Sequence, residues 1–117
     1  MEQNKRFWQM LDELVRAHPI TLDRPKGSFH PTRGEVYYEH DYGYLEGTAS
    51  PDGEEIDVWL GESRELRVTG VLMTVDIWKH DCELKLLVGC SREEMHSILA
   101  FYGRYSGICG KLTERDD

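Results

Sequence analysis

The sequence predicts a small, mainly β domain of the α+β class with one helix near each end. Apolar residues recur at helical spacing in both end regions, and at a spacing of two between them. Glycine, proline and aspartate interrupt the middle region at short intervals, as expected for turns between strands. A chain of 117 residues has the length of a single domain, which we take to span residues 1–117.

The first helix is predicted from an apolar face of about three turns that ends at His18-Pro19. The residue before a proline is pushed out of the helical region, so the helix should stop there. The second helix should begin near Ser91, because Ser91 and Glu94 have the spacing of a capping box. The two apolar stripes, expected to face the core, are Phe7, Leu11, Leu14 and Val15, and Met95, Ile98, Leu99 and Tyr102.

Five segments between these helices are rich in valine, isoleucine, leucine and aromatic residues, which is typical of strands. The predicted strands are 20–24, 36–38, 55–60, 66–78 and 82–88. Five short strands flanked by an N-terminal and a C-terminal helix indicate a small, mainly antiparallel barrel. Residues 113–117 are expected to be loose.

The chain is acidic, with 22 Asp and Glu against 14 Lys and Arg and a net charge of −8. A negative field disfavours nucleic acid as a partner. No stretch approaches the ~18 apolar residues that a membrane span needs, and the charged N-terminal region is unlike a signal peptide. The three cysteines form no CxxC pair and are interpreted as reduced thiols. We therefore expect a cytoplasmic protein with no membrane or nucleic-acid partner.

Charge is distributed unevenly along the chain. Residues 24–33 carry Arg24, Lys26, His30 and Arg33 and no acid, whereas residues 34–63 carry nine acids and no lysine or arginine. So many acids repel one another in a compact domain unless cations offset them. Carboxylates that hold a metal beside cations that hold an anion are what phosphoryl transfer requires. The alternative is a solvated acidic rim.

Strand alternation refines this interpretation. Asp57 shares a strand face with Trp59, Asp76 lies on the polar face of the next long strand, and Glu83 shares a face with Lys85. Three strands therefore each direct a carboxylate away from an apolar face. Oxygen ligands without histidine or cysteine favour magnesium or manganese over zinc.

Four motifs in sequence order resemble those of family I soluble inorganic pyrophosphatases, over roughly residues 20–88. The motifs are Asp41-Tyr42-Gly43-Tyr44, Asp52-Gly53-Glu54-Glu55-Ile56-Asp57-Val58, Gly70-Val71-Leu72-Met73 and Glu83-Leu84-Lys85. The resemblance implies an OB-like five-stranded barrel with helices. It also implies Mg²⁺-dependent hydrolysis of pyrophosphate, a small phosphate substrate, with Mn²⁺ as a possible substitute for Mg²⁺.

The resemblance assigns roles residue by residue. It places Glu54, Asp57 and Lys85 in the catalytic group, with Glu54 assisting the deprotonation of water and Lys85 contacting phosphate. It places Tyr42 and, more loosely, Tyr105 on the substrate, and Asp23 at the edge of the site. The implied metal ligands are Asp52, Asp57, Asp76 and Glu83.

The sequence also departs from the family pattern. Glu54 and Glu83 stand where the family uses aspartate, and the loop between Asp76 and Glu83 is two residues longer. A hairpin that normally carries an arginine is missing, and Ser106 replaces a lysine. We hypothesise that Lys26 and Arg33, with His30 nearby, replace the lost cations.

Two other functions stay open at this point. One is hydrolysis of another small diphosphate or phosphoanhydride, and the other is a non-catalytic module that binds metal or phosphate. Because family members are commonly oligomeric, we also expect a homo-oligomer.

Overall fold

Two helices and six strands follow one another along the chain in the computed structural model of the protein, which describes residues 2–51 and 53–117. The helices are α1 (Glu2–Ala17) and α2 (Arg92–Gly103). The strands are β1 (Ile20–Arg24), β2 (Asp41–Leu45), β3 (Ile56–Leu60), β4 (Val68–Asp76), β5 (Asp81–Val88) and β6 (Ile108–Glu114).

The strands form one sheet in the order β1-β2-β3-β5-β4-β6. Strands β3 and β5 are parallel, and each of the other neighbouring pairs is antiparallel. The prediction of a mainly β fold with two flanking helices is confirmed. Within the described residues, however, six strands form an open sheet rather than five strands a closed barrel, because β1 and β6 lie at opposite edges.

One predicted strand is not part of the sheet, and two strands of the described sheet were not predicted. Residues 36–38 are not a sheet strand, and Tyr37 forms only an isolated bridge with Phe29. Val36 and Tyr38 are nevertheless buried, so their alternation reflects packing against the core rather than sheet pairing. Strand β2 begins three residues after this segment, and its aspartate and glycine weaken the strand pattern, so it was not predicted. Strand β6 was not predicted either.

The sheet buries both of its faces. One cluster lies under α2 and includes Trp59, Leu72, Leu87 and Ile98. The other lies against α1 and includes Trp8, Val15, Val58 and Leu86. Three residues of the predicted α1 stripe, Leu11, Leu14 and Val15, pack against the core as expected. The fourth, Phe7, is 49% exposed and makes an edge-to-face contact with the ring of the buried Trp8.

The ends of the helices follow from local interactions. The capping box of α2 is present, since the Glu94 backbone N–H donates to Ser91 Oγ (3.1 Å) and the Ser91 N–H donates to Glu94 Oε1 (2.8 Å).

In the described part of the chain, neither helix is long and apolar enough to cross a membrane.

The C-terminal segment, expected to be loose, is tied to the rest of the fold. Thr113 and Glu114 belong to β6, and the Arg115 side chain is only 6% exposed. Its Nη1 donates to both carboxylate oxygens of Asp12 (2.9 and 3.0 Å) and to the Val68 carbonyl (3.0 Å). Asp12 also accepts the Val68 N–H at 2.8 Å. One buried ion pair therefore joins α1, β4 and the C-terminus.

We expect Asp12→Ala to lower the free energy of unfolding by about 3 kcal/mol, because it leaves the Arg115 cation and the Val68 N–H without their buried acceptor. Urea denaturation measures the change. Glu13→Ala, at the exposed neighbouring position of α1, is the control and should shift stability by less than about 0.5 kcal/mol. Equal effects in the two variants would contradict the role of the ion pair.

Candidate functional site

A buried lysine lies at the centre of the candidate site. Lys85 is only 5% exposed. Its Nζ donates to Tyr42 Oη (2.8 Å), Glu83 Oε1 (2.9 Å) and Asp57 Oδ2 (3.0 Å). An ammonium group has three N–H donors, so these partners satisfy all of them.

Strand register brings these residues together. Asp57 of β3 lies opposite Lys85 in the parallel pair with β5, and Tyr42 of β2 lies opposite Trp59. Because side chains alternate along a strand, Asp57, Lys85 and Tyr42 share the face that buries Trp59 under α2. The alternation predicted for β3 and β5 is confirmed.

A glycine allows β2 to carry Tyr42 at this position. A Cβ atom on Gly43 would lie 2.0 Å from the carbonyl oxygen of Thr21 in β1. No larger residue fits between the two strands without moving the backbone. The glycine of the Asp-Tyr-Gly-Tyr motif thus allows β1 and β2 to pack closely. The tyrosine before it is the one that contacts Lys85.

The surroundings keep Lys85 charged. Burial alone would lower the pKa of Lys85, but Tyr102, Tyr42 and Asp57 raise it above its ordinary value. Burial also raises the pKa of Tyr42 well above its usual range, so its phenol stays protonated. Since Tyr42 Oη accepts from Lys85, its own proton is free to be donated to an anion.

A cavity of about 380 Å³ opens beside this cluster. Its lining combines three kinds of side chain, which together suit a multiply charged ligand. The cationic and histidine residues are His30, Arg33, Lys79 and Lys85; the carboxylates are Asp76, Asp81 and Glu83; the aromatic residues are Tyr38, Tyr42, Trp78, Phe101, Tyr102 and Tyr105.

Two carboxylates at this cavity, those of Asp81 and Glu83, affect each other's ionisation. Burial, and then the hydrogen bond and charge shared with Glu83, raise the pKa of Asp81. Burial opposes ionisation of Glu83 as well, but Lys85 lowers its pKa. A bound cation would relieve the repulsion between these two acids.

The donor chemistry fits a hard divalent cation, because the acids at the cavity offer only carboxylate oxygens. Within residues 2–51 and 53–117, no three histidine, cysteine or acidic side chains already converge as a metal site. Asp57 and Glu83 point their oxygens at Lys85 instead. They also line a smaller hollow together with Pro51. The predicted ligand Asp52 itself lies outside the described residues.

Those acids of residues 34–63 that the structure describes do not converge on one site. Several of the described acids form ion pairs away from the cavity. For these acids the structure favours the alternative of a solvated acidic rim over a metal site. The pairs are Glu39 with Arg104 (2.5 Å), Asp41 with Arg64, and Glu62 with Lys26 (2.6 Å).

The structure brings most of the predicted site residues to the cavity. Asp57 does not line the cavity but accepts a hydrogen bond from Lys85. The predicted residues that line it, with His30 beside them, are Arg33, Tyr42, Asp76, Glu83, Lys85 and Tyr105. Their roles stay predictions.

Three predicted residues lie elsewhere. Lys26 Nζ is 2.6 Å from Glu62 Oε1 and borders a separate cleft near His40. Asp23 pairs with Arg24 at 3.1 Å, and Glu54 is exposed in the turn before β3. These positions do not support a direct role for Lys26 or Asp23 at the cavity.

Sequence reasoning missed Asp81, Lys79 and Tyr102 as site residues. The hairpin pairing of Asp76 with Asp81 could have located both Asp81 and the turn that carries Lys79. Tyr102 had been interpreted as core, and it is, but its ring also lies 6.0 Å from Lys85 Nζ. Only the packing of α2 against the sheet shows this double role.

Sequence comparison finds relatives of the chain. No family model matches the chain. The chain is 26% identical to the inorganic pyrophosphatases of Geobacillus stearothermophilus and of Bacillus sp. (strain PS3), over 80% of this chain and 71% of each relative. The chain is thus similar to proteins named inorganic pyrophosphatase. The resemblance stated from the motifs is thereby confirmed.

The fold agrees with that of solved pyrophosphatases. The inorganic pyrophosphatase of Coxiella burnetii superimposes with a TM-score of 0.59 over 84% of each chain, at 16% identity. The inorganic phosphatase of Anaplasma phagocytophilum gives 0.54 over 81% of each chain, at 17% identity. At such low identity these likenesses establish the shared fold.

The basic turn of this pyrophosphatase relative, residues 24–33, is held in place by the buried carboxylate of Asp41. The Lys26 backbone N–H donates to Asp41 Oδ1 at 2.7 Å, and Arg64 pairs with Oδ2. Burial would raise the pKa of Asp41, but these partners lower it below its usual value. The anchored turn directs Arg33 and His30 to the cavity and Lys26 away from it.

We expect Asp41→Asn to lower the free energy of unfolding by about 1–2 kcal/mol at pH 7. Because the folded-state pKa of Asp41 is lowered, its contribution is complete above the unfolded pKa of about 3.9 and is lost as pH falls through the folded value. Denaturation series at several pH values should therefore show the gap between wild type and variant closing below about pH 4. A gap that is constant with pH would contradict the anchoring role.

Proposed function

We propose that the chain hydrolyses inorganic pyrophosphate to two phosphates with a divalent cation, Mg²⁺ first and Mn²⁺ as a substitute. The observation that carries this proposal is the buried Lys85, held by Asp57, Glu83 and Tyr42 beside a cavity that also holds Arg33. The relatives named inorganic pyrophosphatase support the choice of substrate.

The residues that would hold the cation are Asp57, Asp76 and Glu83, together with Asp52. Asp81 forms a hydrogen bond with Glu83 and is affected by its charge, so Asp81 is a further candidate ligand of the cation. When bound, a divalent cation supplies Lewis acidity toward phosphate oxygens and water. A cytoplasmic location and a homo-oligomer stay predictions from the sequence.

The chain's own groups position and neutralise the substrate. Lys85 is a fixed positive charge, and a phosphate oxygen that replaces one of its carboxylate partners keeps its ammonium fully hydrogen-bonded. Tyr42 has a hydroxyl proton to donate to the same phosphate. Arg33 can grip the second phosphate bidentately. Glu54 stays the proposed assisting base.

Phosphate release from pyrophosphate, with and without Mg²⁺, tests the function directly. The purified protein should release phosphate only when the cation is present. Mg²⁺-dependent binding of pyrophosphate without any release would support the non-catalytic alternative. The absence of both would contradict the proposed function.

Asp57→Asn should lower kcat about 10²–10³-fold, because it removes one charge from the centre of the cluster. It should also reduce the rise in Tm that millimolar Mg²⁺ causes in the wild type, since a ligand stabilises the fold only as far as it binds. Glu13→Gln, an exposed charge removed from α1, is the control for both measurements. Wild-type turnover in Asp57→Asn would exclude Asp57 from the site.

Arg33 and Lys26 form a matched pair for testing the cationic side. Arg33→Ala should lower kcat/KM about 10–100-fold, because Arg33 lines the cavity. Lys26→Ala should change it little, because Lys26 Nζ faces Glu62. Steady-state kinetics with pyrophosphate measures both variants. Equal losses would favour the hypothesis that both residues replace the missing family cations.

A further inference from the structure

The cavity beside Lys85 has an aromatic rim that inorganic pyrophosphate does not require. Trp78 borders the cavity and is 70% exposed. Pyrophosphate is small and wholly polar, so it gains nothing from an indole face. Exposure of the largely apolar indole to water is unfavourable. A ligand bound in the cavity would cover the indole.

Trp78 is fixed in place from behind. Its Nε1 donates to the Ser106 carbonyl at 3.0 Å, which satisfies its one polar group. Gly107, at φ +85°, packs so closely that a Cβ there would lie 1.9 Å from Nε1. The Gly107 carbonyl also accepts the Ile77 N–H at 2.8 Å. The indole is therefore a preorganised surface, and preorganisation reduces the entropy that binding costs.

The turn that carries Trp78 is coupled to the acidic part of the site. The Lys79 backbone N–H donates to Asp76 Oδ1 at 3.0 Å, which closes the turn between β4 and β5. Lys79 and Trp78 both line the cavity. The hydrogen bond between Lys79 and Asp76 therefore helps to place both side chains of this turn at the cavity.

The cavity thus combines groups for two parts of one ligand. Lys85 and Arg33 suit a diphosphate, and Trp78, with Tyr105 on the same lining, suits a flat ring. A volume of about 380 Å³ lies within the range of small-molecule sites. Nucleobases stack on aromatic side chains whatever their sequence identity, which makes them suitable flat groups.

We propose that the cavity binds nucleoside 5′-diphosphates, with the base stacked on Trp78 and the diphosphate at Lys85 and Arg33, and that the protein hydrolyses them as well as pyrophosphate. The hydrolytic half rests on the proposed function. The water oxygen bonds to the terminal phosphorus, and the bond from that phosphorus to the bridging oxygen breaks. The nucleoside monophosphate leaves with the bridging oxygen, and inorganic phosphate and one proton are released.

Kinetics with three substrates tests the hydrolytic half. We expect kcat/KM for ADP to exceed that for isopentenyl diphosphate, which has no ring, by about tenfold, the scale of one base stack. Trp78→Ala should lower the ratio of ADP to pyrophosphate kcat/KM by a similar factor, mainly through the KM for ADP. Trp78→Phe should restore most of it. Phe29→Ala, which removes an exposed aromatic ring outside the cavity lining, is the control.

Fluorescence tests binding without turnover. Trp8 and Trp59 are buried, so ADP stacked on the exposed Trp78 should quench emission in the wild type but not in Trp78→Phe. Isopentenyl diphosphate should not quench it. Each of these probes is added with Mg²⁺ to the full chain.

The outcomes separate this inference from the proposed function. Pyrophosphate hydrolysis without ADP turnover or quenching would overturn the inference alone. Quenching by ADP without any pyrophosphate hydrolysis would support nucleotide binding and overturn the proposed function. Quenching with pyrophosphate turnover but no ADP turnover would overturn the hydrolytic half. Self-association that Trp78→Ala abolishes, with no effect of ADP, would assign Trp78 to a contact between copies and overturn the inference.

Discussion

A lysine ammonium buried in a sheet needs anions and hydrogen-bond acceptors around it, and meeting that need determines the arrangement of this site. Lys85 is only 5% exposed, so the strands on its side of the sheet must supply these partners. Asp57 comes from β3, Tyr42 from β2 and Glu83 from β5 itself. The order and register of three strands are therefore linked to the charge of one side chain.

That charge also explains why the carboxylates can gather. Without Lys85, Asp57 and Glu83 would repel each other and Asp81, and the sheet would lose stability at neutral pH. Burial, and then the hydrogen bond and charge of Glu83, still raise the pKa of Asp81 beside this cluster. The lysine thus holds the acids in place beside the cavity.

The sequence predicted what depends on period and composition. Alternation placed Asp57 and Lys85 correctly, because a period of two is fixed by strand geometry. Alternation did not predict β2, because aspartate and glycine interrupt the pattern of apolar residues there. It did not predict β6, because none of the positions of that strand is fully buried. The basic turn shows the other limit. Lys26 and Arg33 carry the same charge in one short segment, yet the anchor at Asp41 sends them to different surfaces, which composition does not reveal.

The state of Lys85 can be measured directly by ¹H–¹⁵N NMR of its side-chain ammonium. The structure requires slowly exchanging ammonium protons at pH 7 and a group that stays protonated beyond its ordinary pKa of about 10.4. Asp57→Asn, which removes one acceptor charge, should speed that exchange, while Glu13→Gln should not. An ammonium signal that exchanges as fast as that of an exposed lysine, or an ordinary or lowered pKa, would contradict the account of the site.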